Sequence, residues 1–113
     1  MKTASAKAKG RRLCKLVKEK LLEVFDLQDD DVKVTSSGAT GEDIHLSPFA
    51  RVRFPHSIEC KNHAKMSIYT HYEQAVENAG GHIPLLIVKA DGKQPLAVLD
   101  LDHYLSIARE ATK

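Results

Sequence analysis

The chain has 113 residues, enough for one core. Apolar residues make up 42% and charged residues 28%, which excludes a disordered chain and favours a soluble globular one. The formal charge of +2 neither demands nor excludes nucleic acid, and no apolar run is long enough to span a membrane.

Residues 1–10 are small and basic and read as a flexible arm. With Arg11 and Arg12, the lysines Lys2, Lys7 and Lys9 concentrate positive charge there, suited to phosphates or simply to solubility. The basic start is followed by no apolar signal region, so an intracellular protein is expected. From about Arg11 to Phe25 the apolar residues Leu13, Leu16, Val17, Leu21, Val24 and Phe25 recur at helical spacing. Glu19 and Glu23 fall off that stripe. Carboxylates so placed are usually solvated or paired with nearby lysines. The acidic run Asp26 to Asp31 lacks the glycine and terminal glutamate of a calcium loop and reads as a turn.

Val32 and Val34 alternate in a first strand, residues 36–41 form a turn, and Glu42 to Leu46 form a second strand. Gly38 and Gly41 allow close backbone approach there. The stretch from Ser47 to Pro55 is a proline-bounded insertion, mixing Arg51 and Arg53 with Phe49 and Phe54. Ser57 to Lys61 form the third strand. Alternation puts Glu59 and Lys61 on one face and Cys60 on the other. A hairpin with the second strand would add Asp43 to the face of Glu59. Two carboxylates suit a hard divalent cation such as Mg²⁺, and a lysine beside them suits developing phosphoryl charge. On spacing alone, a solvated charge pair is the commoner outcome.

Ser67 caps a helix through Tyr69, Tyr72, Ala75, Val76 and Ala79, stopped by Gly80-Gly81. Ile83 to Val88 is a continuous apolar run and reads as a buried strand. Asp91-Gly92 turns the chain into a strand from Pro95 to Leu99, and Leu101 to Ala108 form a short closing helix. The fold class is therefore α/β: one domain, residues 11–113, with a mixed central sheet flanked by helices. The helix after the third strand makes a parallel crossover. Cys14 and Cys60 stand at no metal-binding spacing and read as reduced thiols, with no zinc-type cluster.

The order helix, meander, Asp…Glu-x-Lys, helix, strand resembles the PD-(D/E)XK nuclease superfamily, and most of all its small phage-encoded, resolvase-like endonucleases. The residues carrying the resemblance are Lys9 to Leu13, Gly38 to Ile44, Leu46-Ser47-Pro48, Phe54-Pro55, Ser57 to Asn62 and Glu73-Gln74-Ala75. It covers about Lys9 to Val88 and implies a restriction-endonuclease-like αβββαβ core. It also implies a Mg²⁺- or Mn²⁺-dependent endodeoxyribonuclease of the Holliday-junction-resolvase type, acting as a homodimer on branched DNA in the host cytoplasm. Asp43 and Glu59 would hold the metal, with the Cys60 carbonyl as a third ligand. Lys61 would orient water or stabilise the phosphorane. Gln74 matches a helix glutamine near the metal in part of the superfamily. Glu19 or Glu23, preferably Glu19, would be the first-helix acid. The implied DNA-facing set is Lys9, Arg11, Arg12, Ser37, Thr40, Arg51, Arg53 and Asn62. Two positions depart from the pattern. Lys15 stands where some resolvases carry the helix acid, and Glu42 stands where a proline precedes the first acid. The rivals are a non-catalytic DNA-binding module of the same fold, a flap, single-strand or nicking nuclease, and a structural protein with charges paired on a sheet face.

Overall fold

The structure, a computed structural model, describes residues 4–35 and 42–113. Helix α1 spans Ala4–Phe25 and leads through a 3₁₀ turn, Asp29–Asp31, into strand β1, Val32–Val34. Strand β2 is Ile44–Leu46, helix α2 Pro48–Arg53 and strand β3 His56–Asn62. Helix α3, Ile68–Asn78, connects to strand β4, Ile83–Lys89, followed by strand β5, Leu96–Val98, and helix α4, Leu101–Ala111. The five strands form one sheet in the order β1-β2-β3-β4-β5. β1, β2 and β3 pair antiparallel, β3 and β4 pair parallel, and β5 returns antiparallel to β4. Setting α2 aside, α1 to β4 follow the expected αβββαβ order.

The two faces of the sheet have separate cores. Val32, Ile44, Leu46, Ile58, Cys60 and Leu85 pack against Leu13, Cys14 and Leu21 of α1. Leu86 and Val88 pack against Ala75 of α3. The parallel register Ile58↔Leu85, Glu59↔Leu86, Cys60↔Ile87 and Lys61↔Val88 fixes which residues share a face. Even positions of β3 therefore meet α1 and odd positions meet α3.

Two expectations are corrected. Residues 4–10 are not a free arm: α1 already begins at Ala4. Ala4, Ala6 and Ala8, with Lys7 and Lys9, are strong helix formers and outweigh the ~1 kcal/mol cost of one interior glycine, Gly10. The Lys9 ammonium also reaches Asp91 at 2.7 Å, tying this turn to the β4–β5 loop. The proline-bounded insertion is helical. The Ser47 hydroxyl accepts from the Ala50 N–H at 3.1 Å and Pro48 occupies the first turn, the usual start signal of a helix. Ala50 is fully buried beneath it.

The acidic connection is a turn, as expected. α1 ends with Asp26 at φ 53 and the Leu27 N–H donating to the Leu22 carbonyl at 3.0 Å, a Schellman-type stop. Asp31 then accepts from the Gln28 N–H at 2.9 Å and from the Ser47 hydroxyl at 2.7 Å. The Ser47 bond, then the Gln28 bond, hold its carboxyl below the ordinary range. The turn expected at residues 36–41 lies outside the described residues.

α4 differs from the rest. None of its residues is buried, and Leu101, Tyr104 and Leu105 are all more than half exposed. A histidine pair ties it to the body, His103 Nε2 to His56 Nε2 at 2.9 Å, with His56 also packed at a tilt against Phe54, 4.6 Å between centroids. Among the described residues no helix is long and apolar enough to cross a membrane.

Candidate functional site at the β2–β3 fork

β3 carries Glu59 into the interior. It is 3% exposed, on the face covered by α3. A buried carboxylate is costly unless its oxygens are occupied. Both are: Lys61 Nζ lies 3.3 Å from Oε2, and Asn78 Nδ2 donates to Oε1 at 3.2 Å. Glu59 and Lys61 thus share one face, as strand alternation predicts, but as a sequestered pair and not a solvated one.

Asp43 stands immediately alongside. β2 and β3 share a single registered pair, Ile44↔Ile58. There the ladder ends and Asp43 takes over the pairing. Its N–H donates to the Ile58 carbonyl at 3.0 Å, and its Oδ2 accepts from the Cys60 N–H at 2.8 Å. These two bonds bracket Glu59. The Asp43 carbonyl accepts from the Thr35 N–H at 3.0 Å and from its hydroxyl at 2.9 Å, which fastens the fork to the end of β1.

The two acids are backbone neighbours whose side chains diverge. The Asp43 carboxylate lies on the α1 side, where a carboxylate oxygen, Cys14 Sγ and Cys60 Sγ are all within 4.8 Å of one another. That group could hold a metal ion. It was not legible as a motif: Cys14 and Cys60 come together only because α1 lies across β3. The pair shares its protons unequally. The hydrogen bond from the Cys60 thiol draws the Cys14 thiol down. The same bond, then burial, push the Cys60 thiol far up.

Other expected residues are distributed as follows. Glu19 and Glu23 are exposed on α1; the α1 side chain that faces Asp43 is Cys14. Gln74 is exposed on α3, and the amide that reaches Glu59 belongs to Asn78, one turn further along. Spacing offered a signal for it: Asn78 lies three residues from buried Ala75 and so on the sheet-facing side. Arg51 is paired with Glu42 and donates to the His56 carbonyl at 3.3 Å. Arg53 lies over the Phe49 ring at 3.5 Å from its centroid. Ser37 and Thr40 lie outside the described residues.

Lys9 pairs with Asp91 at 2.7 Å, and its ammonium, with lesser help from Lys89 and Arg12, holds the Asp91 carboxyl below the usual range. Asn62 ends β3 beside them, its amide 3.5 Å from the Lys9 carbonyl. A basic patch therefore flanks the carboxyl ends of the parallel pair β3 and β4. In open α/β sheets that is the end where ligands bind. Arg11 is exposed on the same helical turn as Arg12.

No family model, no curated protein and no solved structure matches the chain.

Proposed function

We propose that the protein is a metal-dependent DNA endonuclease selective for branched DNA such as a four-way junction. One observation carries the reading. Asp43 brackets Glu59 at the point where two strands part, and Lys61 stands on the same face as Glu59. The αβββαβ order supports it as well, being the order that the resemblance to PD-(D/E)XK nucleases implies.

The donors at the fork suit a hard cation: the carboxylates of Asp43 and Glu59, with the Cys60 carbonyl between them. An ion there would neutralise phosphodiester charge and lower the pKa of bound water. Capture on the Glu59 side requires Asp43 to release the Cys60 N–H, since its carboxylate is held on the α1 side. Asn78 keeps Glu59 oriented. Lys61, freed from Glu59 by a cation, would place its ammonium against the scissile phosphate or the attacking water. Lys9, Arg12 and Lys89 would hold flanking phosphates at the strand ends.

A junction has two strands to cut, which calls for two sites. The exposed apolar residues Leu101, Tyr104 and Leu105 of α4 suit pairing with the same helix of a second copy about a two-fold axis. Two free thiols accord with an intracellular, reducing setting.

The test is cleavage of labelled four-way, flap, duplex and single-stranded DNA with Mg²⁺, Mn²⁺ or EDTA. Paired cuts in the junction that need metal support the proposal. Equal cutting of all substrates would keep a nuclease and remove the branch selectivity. Binding to DNA without cutting under any metal would leave a non-catalytic module.

A further inference from the structure

We infer that Cys14, Asp43 and Cys60 form a binding site for a thiophilic divalent cation of the Zn²⁺ class, on the face of β3 opposite the Glu59–Lys61 pair. The three ligand atoms come from three separate segments: helix α1, strand β3 and the residue before β2. Cys14 belongs to the buried stripe of α1, beside Leu13 at 2% exposure. Cys60 lies in the centre of β3, paired along its length with β4. Asp43 is held by its N–H to Ile58, its carbonyl to Thr35 and its Oδ2 to Cys60. The three groups are therefore in place before any ion arrives.

Their spacing fits one ion. Ligand atoms around a tetrahedral zinc stand roughly 3.5–4 Å apart, given Zn–S near 2.3 Å and Zn–O near 2.0–2.2 Å. The atoms here lie within 4.8 Å of one another, so closure needs movements of about an ångström or less. Two sulfurs and one oxygen leave a fourth position for water. The donor set also selects the ion: thiolates favour Zn²⁺ and its soft analogues, while Mg²⁺ asks for oxygen alone. The thiols thus make the α1 side of the fork chemically unlike the side that carries Glu59.

Occupancy has a consequence that rests on the nuclease reading. An ion on the thiols keeps Asp43 on the α1 side and withholds it from Glu59. A thiophilic cation would then inhibit Mg²⁺-dependent cutting at concentrations far below those of Mg²⁺.

The experiment is titration of the reduced, metal-free full chain with Co²⁺ and then Zn²⁺, followed by optical absorption. The expected result is one ion per chain, a thiolate-to-Co²⁺ charge-transfer band with tetrahedral ligand-field intensity, and displacement of Co²⁺ by Zn²⁺. Cys14→Ser and Cys60→Ser should each weaken binding more than ~100-fold, the upper figure for losing a merely supporting group. Asp43→Asn should weaken it at least ~10-fold. Asp30→Asn, exposed in the turn after α1, should leave it unchanged. A far-ultraviolet melt of each serine variant separates lost binding from lost fold. Wild-type chain that shows no thiolate band overturns the inference whatever the variants do. So does a wild type that binds with the affinity of its serine variants when these are folded. Because binding is read without DNA, a chain that binds the ion but in its thiophile-free form does not cut with Mg²⁺ sinks the nuclease and keeps the site, and cleavage by a chain that never shows the band does the reverse.

Discussion

The two faces of β3 carry different chemistry one residue apart. On the α3 face, Glu59 is a buried acid satisfied by a cation and an amide, Lys61 and Asn78. On the α1 face, Cys60 is a buried thiol gathered with Cys14 and Asp43. Both faces belong to a well-packed sheet, so neither polar group is there for want of apolar alternatives: Ile58 and Leu86 beside them are completely buried. The difference teaches that a strand's alternation can keep an ion-paired carboxylate and a thiol cluster apart within three consecutive residues. Asp43, at the fork, has its backbone paired to Ile58 and its carboxylate on the thiol side.

The sharpest way to break the α3 face is to strip Glu59. Glu59→Ala leaves the Lys61 ammonium, 12% exposed, without its counter-charge, and should cost about 3–5 kcal/mol in chemical denaturation. Asn78→Ala removes one hydrogen bond to the same carboxylate and should cost about 1–3 kcal/mol. If Asn78→Ala cost as much as Glu59→Ala, the amide and not the ion pair would be the main support of the buried acid. At the rim, Ser47→Ala should lose about 1 kcal/mol by removing the N-cap of α2, without affecting either face of β3.

A pH titration probes the tie between body and α4. Burial, then the neighbouring His103, lower the His56 pKa below its ordinary 6.5. The unfolded chain therefore binds the proton first, and stability rises with pH in that window. The contribution is present above about pH 6.5 and is lost as pH falls through the depressed value. Amide protection factors in α4, corrected for the intrinsic pH dependence of exchange, should fall on acidification before those in β3 do, and His56→Phe should remove that fall. The smallest effect is expected at Lys9, half-exposed in its pair with Asp91. Lys9→Ala should hardly change the melting midpoint but should reduce the slope of log DNA affinity against log salt by about one.

Much of this architecture was legible locally. The apolar run at Ile83–Val88 is long enough to mark β4, and Ser67 with Gly80-Gly81 brackets α3 within a residue or two. Glu59 and Lys61 shared a face because strand period is strict. What escaped was of two kinds. Local signals were misweighed at Ser47-Pro48, where the bounding prolines suggested an insertion and the helix start was passed over, and at residues 4–10, where charge suggested a free arm. The thiol cluster was beyond local reach. Metal motifs are read from short spacings, and Cys14 meets Cys60 only through the docking of α1 on the sheet. The divergence of Asp43 from Glu59 depends on one backbone N–H, that of Cys60, left unpaired where the β2–β3 ladder ends and taken by the Asp43 carboxylate. No periodicity encodes that choice.

The most direct measurement of the central claim is the single-turnover rate of Mg²⁺-dependent junction cleavage for wild type, Asp43→Asn and Lys61→Ala, with Asp30→Asn, exposed in the turn after α1, as control. Asp43→Asn and Lys61→Ala should each lose on the order of 10²–10³ in rate while binding the junction as tightly as wild type, and the control should cut normally. Asp43→Asn and Lys61→Ala both cutting at the wild-type rate would contradict the account and return Glu59 and Lys61 to the role of a structural ion pair.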